Sequence, residues 1–379
     1  MKRVALLLPA LALGLSAVAF AERGAKQQMA EIFEAMRFLL PLSLDEQQFS
    51  DPAQRDKIEQ ALALLARSGS LLEEHGRREE AGFSYLSRAL AVDARDIRRR
   101  FEAGYVQETQ FLVQQLTDTC IACHSLLPSK NARLIPRLAR EETLERLPLE
   151  QRAKLAYATH RFEIALESYE ALLASEHFSA TDLDMMGYLD DYLELCIRVR
   201  GDLERPAAAL EKFATRRDPS PALRDELTRW MASLRELARR KPARSALVEA
   251  RALLEQTQDA SRFQDERDAL VYYLQASAAL HRFLVRPPKA PADLAEAYYL
   301  LGMIETQVGK SFWLSQAEAY LEAAIRAAPR DPVALRAYDL LEEFLVAGYT
   351  GSAGTHVPPD IQARLDALRA LTDEPQPTL

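Results

Sequence analysis

VQETQFLVQQLTDTCIACHSLLP, residues 106–128, carries Phe111, Leu112 and Leu116 at helical spacing, runs into Cys120 and stops near Pro128. Three segments before it have the same texture. Met29, Ile32, Phe33, Met36 and Leu40 form one stripe, which Pro41 should end. Asp51 and Pro52 supply an N-cap and a first-turn proline for a helix in which Ile58, Leu62, Leu65, Leu71 and Leu72 lead to Gly76. Phe83, Leu86 and Leu90 mark a third helix beginning near Arg78, and the break before the fourth falls at Asp93 or at Gly104. Four amphipathic helices with short connections are what a four-helix bundle requires. Composition points the same way: 48% of the 379 residues are apolar, only 13 are glycine, and no β-branched run alternates at period two. An all-α protein is expected, and a Rossmann or sandwich fold is excluded.

Cys120, Cys123 and His124 spell C-x-x-C-H, the attachment motif of a c-type haem. On a helix, positions i, i+3 and i+4 share a face. Two thiols can then form thioethers with the haem vinyl groups while the adjacent imidazole reaches the iron, so His124 is the expected proximal ligand. The competing readings are a structural disulfide and a thioredoxin-like C-x-x-C, which wants a βαβ context that the sequence lacks. A zinc site would need further Cys or His nearby, where only His75 and His160 stand. The third cysteine, Cys196, is expected as a buried free thiol on a helix.

The first residues agree with this chemistry. Met1, Lys2 and Arg3 are followed by an apolar stretch from Val4 to Phe20 and by the small-residue site Ala19-Phe20-Ala21. Residues 1–21 read as a secretory signal peptide cut before Glu22, which points to a bacterial periplasm, where haem is attached covalently. No other apolar run of about 18 residues occurs, so no membrane span is expected after cleavage. A formal net charge of −8 argues against a general nucleic-acid binder.

The motif ends a helical segment of about a hundred residues, an arrangement that resembles the class II cytochromes c, the cytochrome c′ type. The resemblance implies a haem-bearing four-helix bundle over residues 22–140, with the haem hung from the last helix. It also implies a sixth iron ligand, where one exists, from the first helix; Met29 holds the matching place. Met29 and Met36 can equally be core methionines filling gaps around a flat cofactor, and Met185 and Met186 are a third possibility. The tail from Leu126 to Ser129 departs from the family pattern. Arg95, Arg98, Arg99 and Arg100 read as a solvated helix face. His75, His160, His177, His281 and His356 read as surface or capping residues.

From residue 141 to 379 the helices become short and paired. Tyr298, Leu301 and Gly302, then Ala317, Leu321, Ala324 and Pro329, resemble the tetratricopeptide repeat, with a turn three residues longer than the family pattern. A weaker copy joins the helix of Leu155 and Ala158 to Ala165, Tyr169 and Leu172. Leu183–Arg216 and Pro221–Gln256 read as further helix pairs, and Tyr298 and Trp313 as repeat packing. This half holds 29 Lys and Arg against 39 Asp and Glu, whereas residues 22–140 hold 17 of each. The acidic half favours a basic or neutral partner. The combined expectation is a four-helix-bundle haem domain followed by a TPR-like α-solenoid: a periplasmic monohaem cytochrome with one covalent haem c, its repeats docking a redox partner. No catalytic acid, base or nucleophile constellation is expected. The alternatives are a five-coordinate haem protein that binds or senses a diatomic gas, and an assembly factor with structural haem.

Overall fold

Asp45, Asp51, Ser179, Ser220 and Asp331 each turn a side-chain oxygen back to an amide of the helical turn that follows. The computed structural model describes residues 8–76, 81–126, 144–145, 147–158, 161–241, 243–259, 267–284, 290–308, 316–352 and 354–373, with side chains for all of these but 8–23, 81–85, 118, 121–126 and 373. The molecule is all-α. Among the described residues the only sheet is a two-residue ladder of Thr350–Gly351 with Gly354–Thr355. Two compact units divide the chain, residues 1–161 and 162–379.

The first unit contains α1 (Leu8–Ser43), α2 (Glu46–Phe49), a 3-10 turn (Pro52–Gln54), α3 (Arg55–Gly76), α4 (Ala81–Glu102), α5 (Val106–Leu126) and α6 (Leu149–Ala158). α1 packs on α3, α3 on α4, α4 on α5 and α5 back on α1; α6 leans on α1 and α5. The expected stripe of α1 is largely in place, with Ile32, Phe33, Met36 and Leu40 buried. Pro41 does not stop this helix, which continues through it to Ser43. A proline near a C-terminus forfeits one hydrogen bond that the last turn can spare. Leu71 is exposed where the sequence pattern put it inside, because Ile58, Leu62, Leu65, Gly69 and Leu72 follow the 3.6-residue period and Leu71 does not. Phe111 is exposed for the same reason, and Val113 takes the inward place. The α4–α5 break is at Gly104, whose φ of +89° suits glycine, while Asp93 lies inside α4.

The second unit contains α7 (Phe162–Ala174), α8 (Ala180–Met185), α9 (Tyr188–Glu194) running on as a π-helix (Leu195–Arg200), α10 (Glu204–Ala214), α11 (Pro221–Arg239), α12 (Ala246–Thr257), α13 (Leu270–Leu284), α14 (Pro291–Val308), α15 (Ala317–Ala327), α16 (Pro332–Gly348) and α17 (Pro359–Asp373). Most helices pack on the next one along the chain. Two pairings differ from the sequence pattern. The helix of Leu155 and Ala158 belongs to the first unit, because its buried Ala153, Leu155, Ala156 and Tyr157 go with helices α1 and α5. α11 and α12 both pack on α13. The α14–α15 pair is the tightest expected copy: a Cβ on Gly302 would stand 2.6 Å from Leu321 side-chain carbons, so only glycine admits this approach. Leu301, Ala317, Leu321 and Ala324 are all fully buried, and Tyr298 stacks on Tyr320 with ring centroids 6.3 Å apart. Trp313 lies outside the described residues.

Candidate functional site

Val113, Leu116 and Thr117 turn inward from α5, and Cys120 follows one turn later on that face, half-buried. The helix stays unbroken to Leu126. Cys120, Cys123 and His124 therefore stand at i, i+3 and i+4 of one α-helix, spread over about 6 Å of rise. That is the backbone geometry that two thioethers and an axial imidazole on one face require. The side chains of Cys123 and His124, residues 127–143, and the first seven residues with the side chains of the expected signal segment lie outside the described residues.

The register of α1 against α5 is set by Ser43. Its carbonyl accepts from the carboxamide of Gln110 at 2.8 Å and from that of Gln114. Short connections join α1, α3, α4 and α5 in turn, so α5 runs back along α1, and from this tie Met29 lies about 21 Å back along α1 and His124 about 18 Å forward along α5. Met29 is thus at the level of the motif on a helix that packs against α5, and it is half-buried. Met36 is buried in the core of the same helix. Met185 and Met186 are 81% and 52% exposed and belong to the second unit.

The four arginines of α4 remain on an exposed face, where Arg95 pairs with Glu73, Arg98 with Glu102, and Arg99 and Arg100 with Asp96. Pairs in that setting contribute little to stability. Cys196 is fully buried on the π-helix, and burial pushes its thiol up to about 12, so it stays protonated. His281 is half-buried, its ring centroid 6.3 Å from that of Tyr320. Burial, reinforced by the charge of Arg198, pushes its imidazole down to about 3. Arg198 itself is sealed between Glu194 at 2.8 Å and Glu305 at 2.7 Å. The hydrophobic pattern carried no sign of this sealed ion pair, in which Arg198 and Glu305 are 107 residues apart. Among the described residues no cluster of three His, Cys, Asp or Glu could hold a metal ion, and no helix is long and apolar enough to cross a membrane.

No family model, curated protein or solved structure matches the chain.

Proposed function

We propose that the chain is an exported, periplasmic monohaem c-type cytochrome that transfers electrons, with haem c joined to Cys120 and Cys123 and His124 as its axial ligand. The observation that carries this reading is the C-x-x-C-H motif held in register by one uninterrupted helix, α5. The donor set fits the group: two thiols and an imidazole stand at helical spacing along α5, and Cys120, the first of them, continues the inward stripe of Val113 and Leu116. When bound, the haem supplies a one-electron couple whose potential follows axial ligation and burial. The chain's own part is to fix the imidazole by tying both flanking residues to one rigid helix, and to keep water from one side with the apolar faces of α1 and α5. The closed packing order of α1, α3, α4 and α5 supports a four-helix bundle of the cytochrome c′ type. The tight α14–α15 pair at Gly302 supports TPR-like repeats as the docking region for a protein redox partner.

The level match along α1 and α5 favours Met29 as sixth ligand. A thioether there keeps the iron low-spin, so little moves on electron transfer. One set of preparations tests both assignments. The chain made in a host that matures c-type haem should keep its colour through acid–acetone extraction, with a mass fitting one haem on residues 22–379. A weak near-infrared sulfur-to-iron band should be present, vanish in Met29→Ala and survive in Met36→Ala. Loss of all colour on extraction overturns covalent attachment. A five-coordinate high-spin ferric spectrum in the natural chain replaces electron transfer with the gas-binding reading.

A further inference from the structure

The second unit is acidic as a whole, yet one place in it gathers positive charge around a hollow. α11 ends at Arg239 and α12 begins at Ala246; both rest on α13, and a cavity of about 580 Å³ opens beside them. Leu237, Leu253 and Phe283 supply apolar lining. Arg240, Lys241, Arg244 and Arg282 line it, against a single carboxylate, Glu249. Glu249 is engaged by Arg282 at 3.3 Å. Arg240, Lys241 and Arg244 form no ion pair among the described residues, whereas most arginines of this unit are matched to carboxylates.

We propose that this cavity is a binding site for a small ligand carrying a phosphate or pyrophosphate group. Four cations against one carboxylate leave a surplus of three positive charges. A single carboxylate would leave most of that surplus unbalanced; a pyrophosphate-type anion matches it, and arginine forks suit phosphate oxygens. The cavity has the size of a small-molecule site. Its apolar lining suits a ligand with an apolar body beside the anionic group. The first turn of α12 adds to the field: Ser245 stands at its N-cap without bonding the turn's amides, which leaves them for an anion.

The phosphate could belong to a soluble ester or to a lipid headgroup, and the test separates them. Sodium pyrophosphate is titrated calorimetrically into the full chain at low and at moderate salt, and binding to phosphatidylcholine vesicles containing phosphatidylglycerol is measured by flotation. Pyrophosphate should bind, more weakly as salt rises, and the variant R240Q/K241Q/R244Q should weaken it at least about tenfold. The equal-charge control K212Q/R217Q/R326Q should bind as the natural chain does. Ala246→Trp, which fills the hollow and keeps every cation, should also abolish binding; circular dichroism checks that each variant is folded. Vesicle binding that pyrophosphate displaces assigns the site to a headgroup; pyrophosphate binding without flotation assigns it to a soluble ester. No pyrophosphate binding at millimolar concentration, an equal loss in the control, or vesicle binding indifferent to pyrophosphate overturns the proposal.

Discussion

Asp93 in the first unit and Glu305 in the second are both carboxylates on long helices that turn toward apolar neighbours, and they are treated in opposite ways. Oδ2 of Asp93 is sealed from solvent with no hydrogen-bond partner among the described residues. Burial, helped by the nearby charge of Asp96, pushes its carboxyl up to about 7. Glu305 is 5% exposed but receives Arg198, itself 4% exposed, at 2.7 Å. Burial pushes Glu305 up, and the arginine's charge pulls it back. A third carboxylate, Glu31 on α1, sits between the two: it accepts a hydrogen bond from the buried Ser68 hydroxyl at 2.5 Å and is held below the usual range chiefly by that bond. What answers a carboxylate decides how it is held, and the three sites, of which Glu31 is the least buried, run from no partner among the described residues, through a hydroxyl, to a full ion pair.

The largest effect should come from breaking the full pair. Arg198→Ala leaves Glu305 and Glu194 without their common cation in a closed interior, which costs about 3–5 kcal/mol at neutral pH. Both tryptophans, Trp230 and Trp313, lie in residues 162–379, so indole fluorescence during urea unfolding reports on this unit. The apolar double replacement Arg198→Met with Glu305→Met should recover most of the loss, because it removes the charges together. A cost under about 1 kcal/mol for Arg198→Ala would end the comparison, since a pair so easily dispensed with would not be holding the charge.

Asp93 should respond in the opposite direction and by less. Its folded pKa is raised above the unfolded value, so the native state holds its proton more firmly, and stability falls as pH climbs from about 4 to about 7. Above that window the ionised carboxylate opposes folding in full. The rise to about 7 corresponds to about 4 kcal/mol in a closed site. Asp93 is half-buried and solvent screening takes about half of that, so Asp93→Asn should raise stability by about 2 kcal/mol at pH 8 and by little at pH 4. Far-UV circular dichroism should record the change while tryptophan fluorescence does not, because the first unit contains no tryptophan. A variant that is less stable at both pH values would mean that the carboxylate has a partner after all.

Much of the helical layout was legible because it follows from local chemistry. Gly104 was one of two candidates for the α4–α5 break, and a positive φ is what made it the one. The C-x-x-C-H spacing needs only a helix to place its residues on one face, and α5 provides it. Leu71 and Phe111 were misplaced because counting apolar residues does not fix which of two adjacent ones follows the helical period; Gly69 and Val113, small or inconspicuous, hold the inward places. Arg198 and Glu305 could not be read at all. Their burial depends on a partner brought from another helix far along the chain, and nothing in the residues beside them announces it. The cationic hollow was hidden for a related reason: Arg240, Lys241 and Arg244 are ordinary loop residues until α11 and α12 rest together on α13.

Glu31 gives the smallest effect and the finest test of the series. Ser68→Ala removes one hydroxyl from a buried position that alanine fills without strain, so the change in packing is slight. What is lost is a charge-assisted hydrogen bond; Gln27 still donates to the same carboxylate at 3.2 Å. The expected loss is about 1 kcal/mol at neutral pH. Its pH dependence has the opposite sign to that of Asp93. Glu31 is depressed in the folded state, so the hydroxyl's contribution is present above the ordinary carboxylate range and is lost as pH falls through the folded pKa. The natural chain and Ser68→Ala should therefore differ at pH 7 and converge as the pH falls through the folded pKa of Glu31, with pH 3 and below as the acid arm. If the difference instead persists at pH 3, the hydroxyl acts through packing or through a backbone contact. Glu31 would then leave the series, and only the two extremes, Asp93 and Glu305, would remain to carry it.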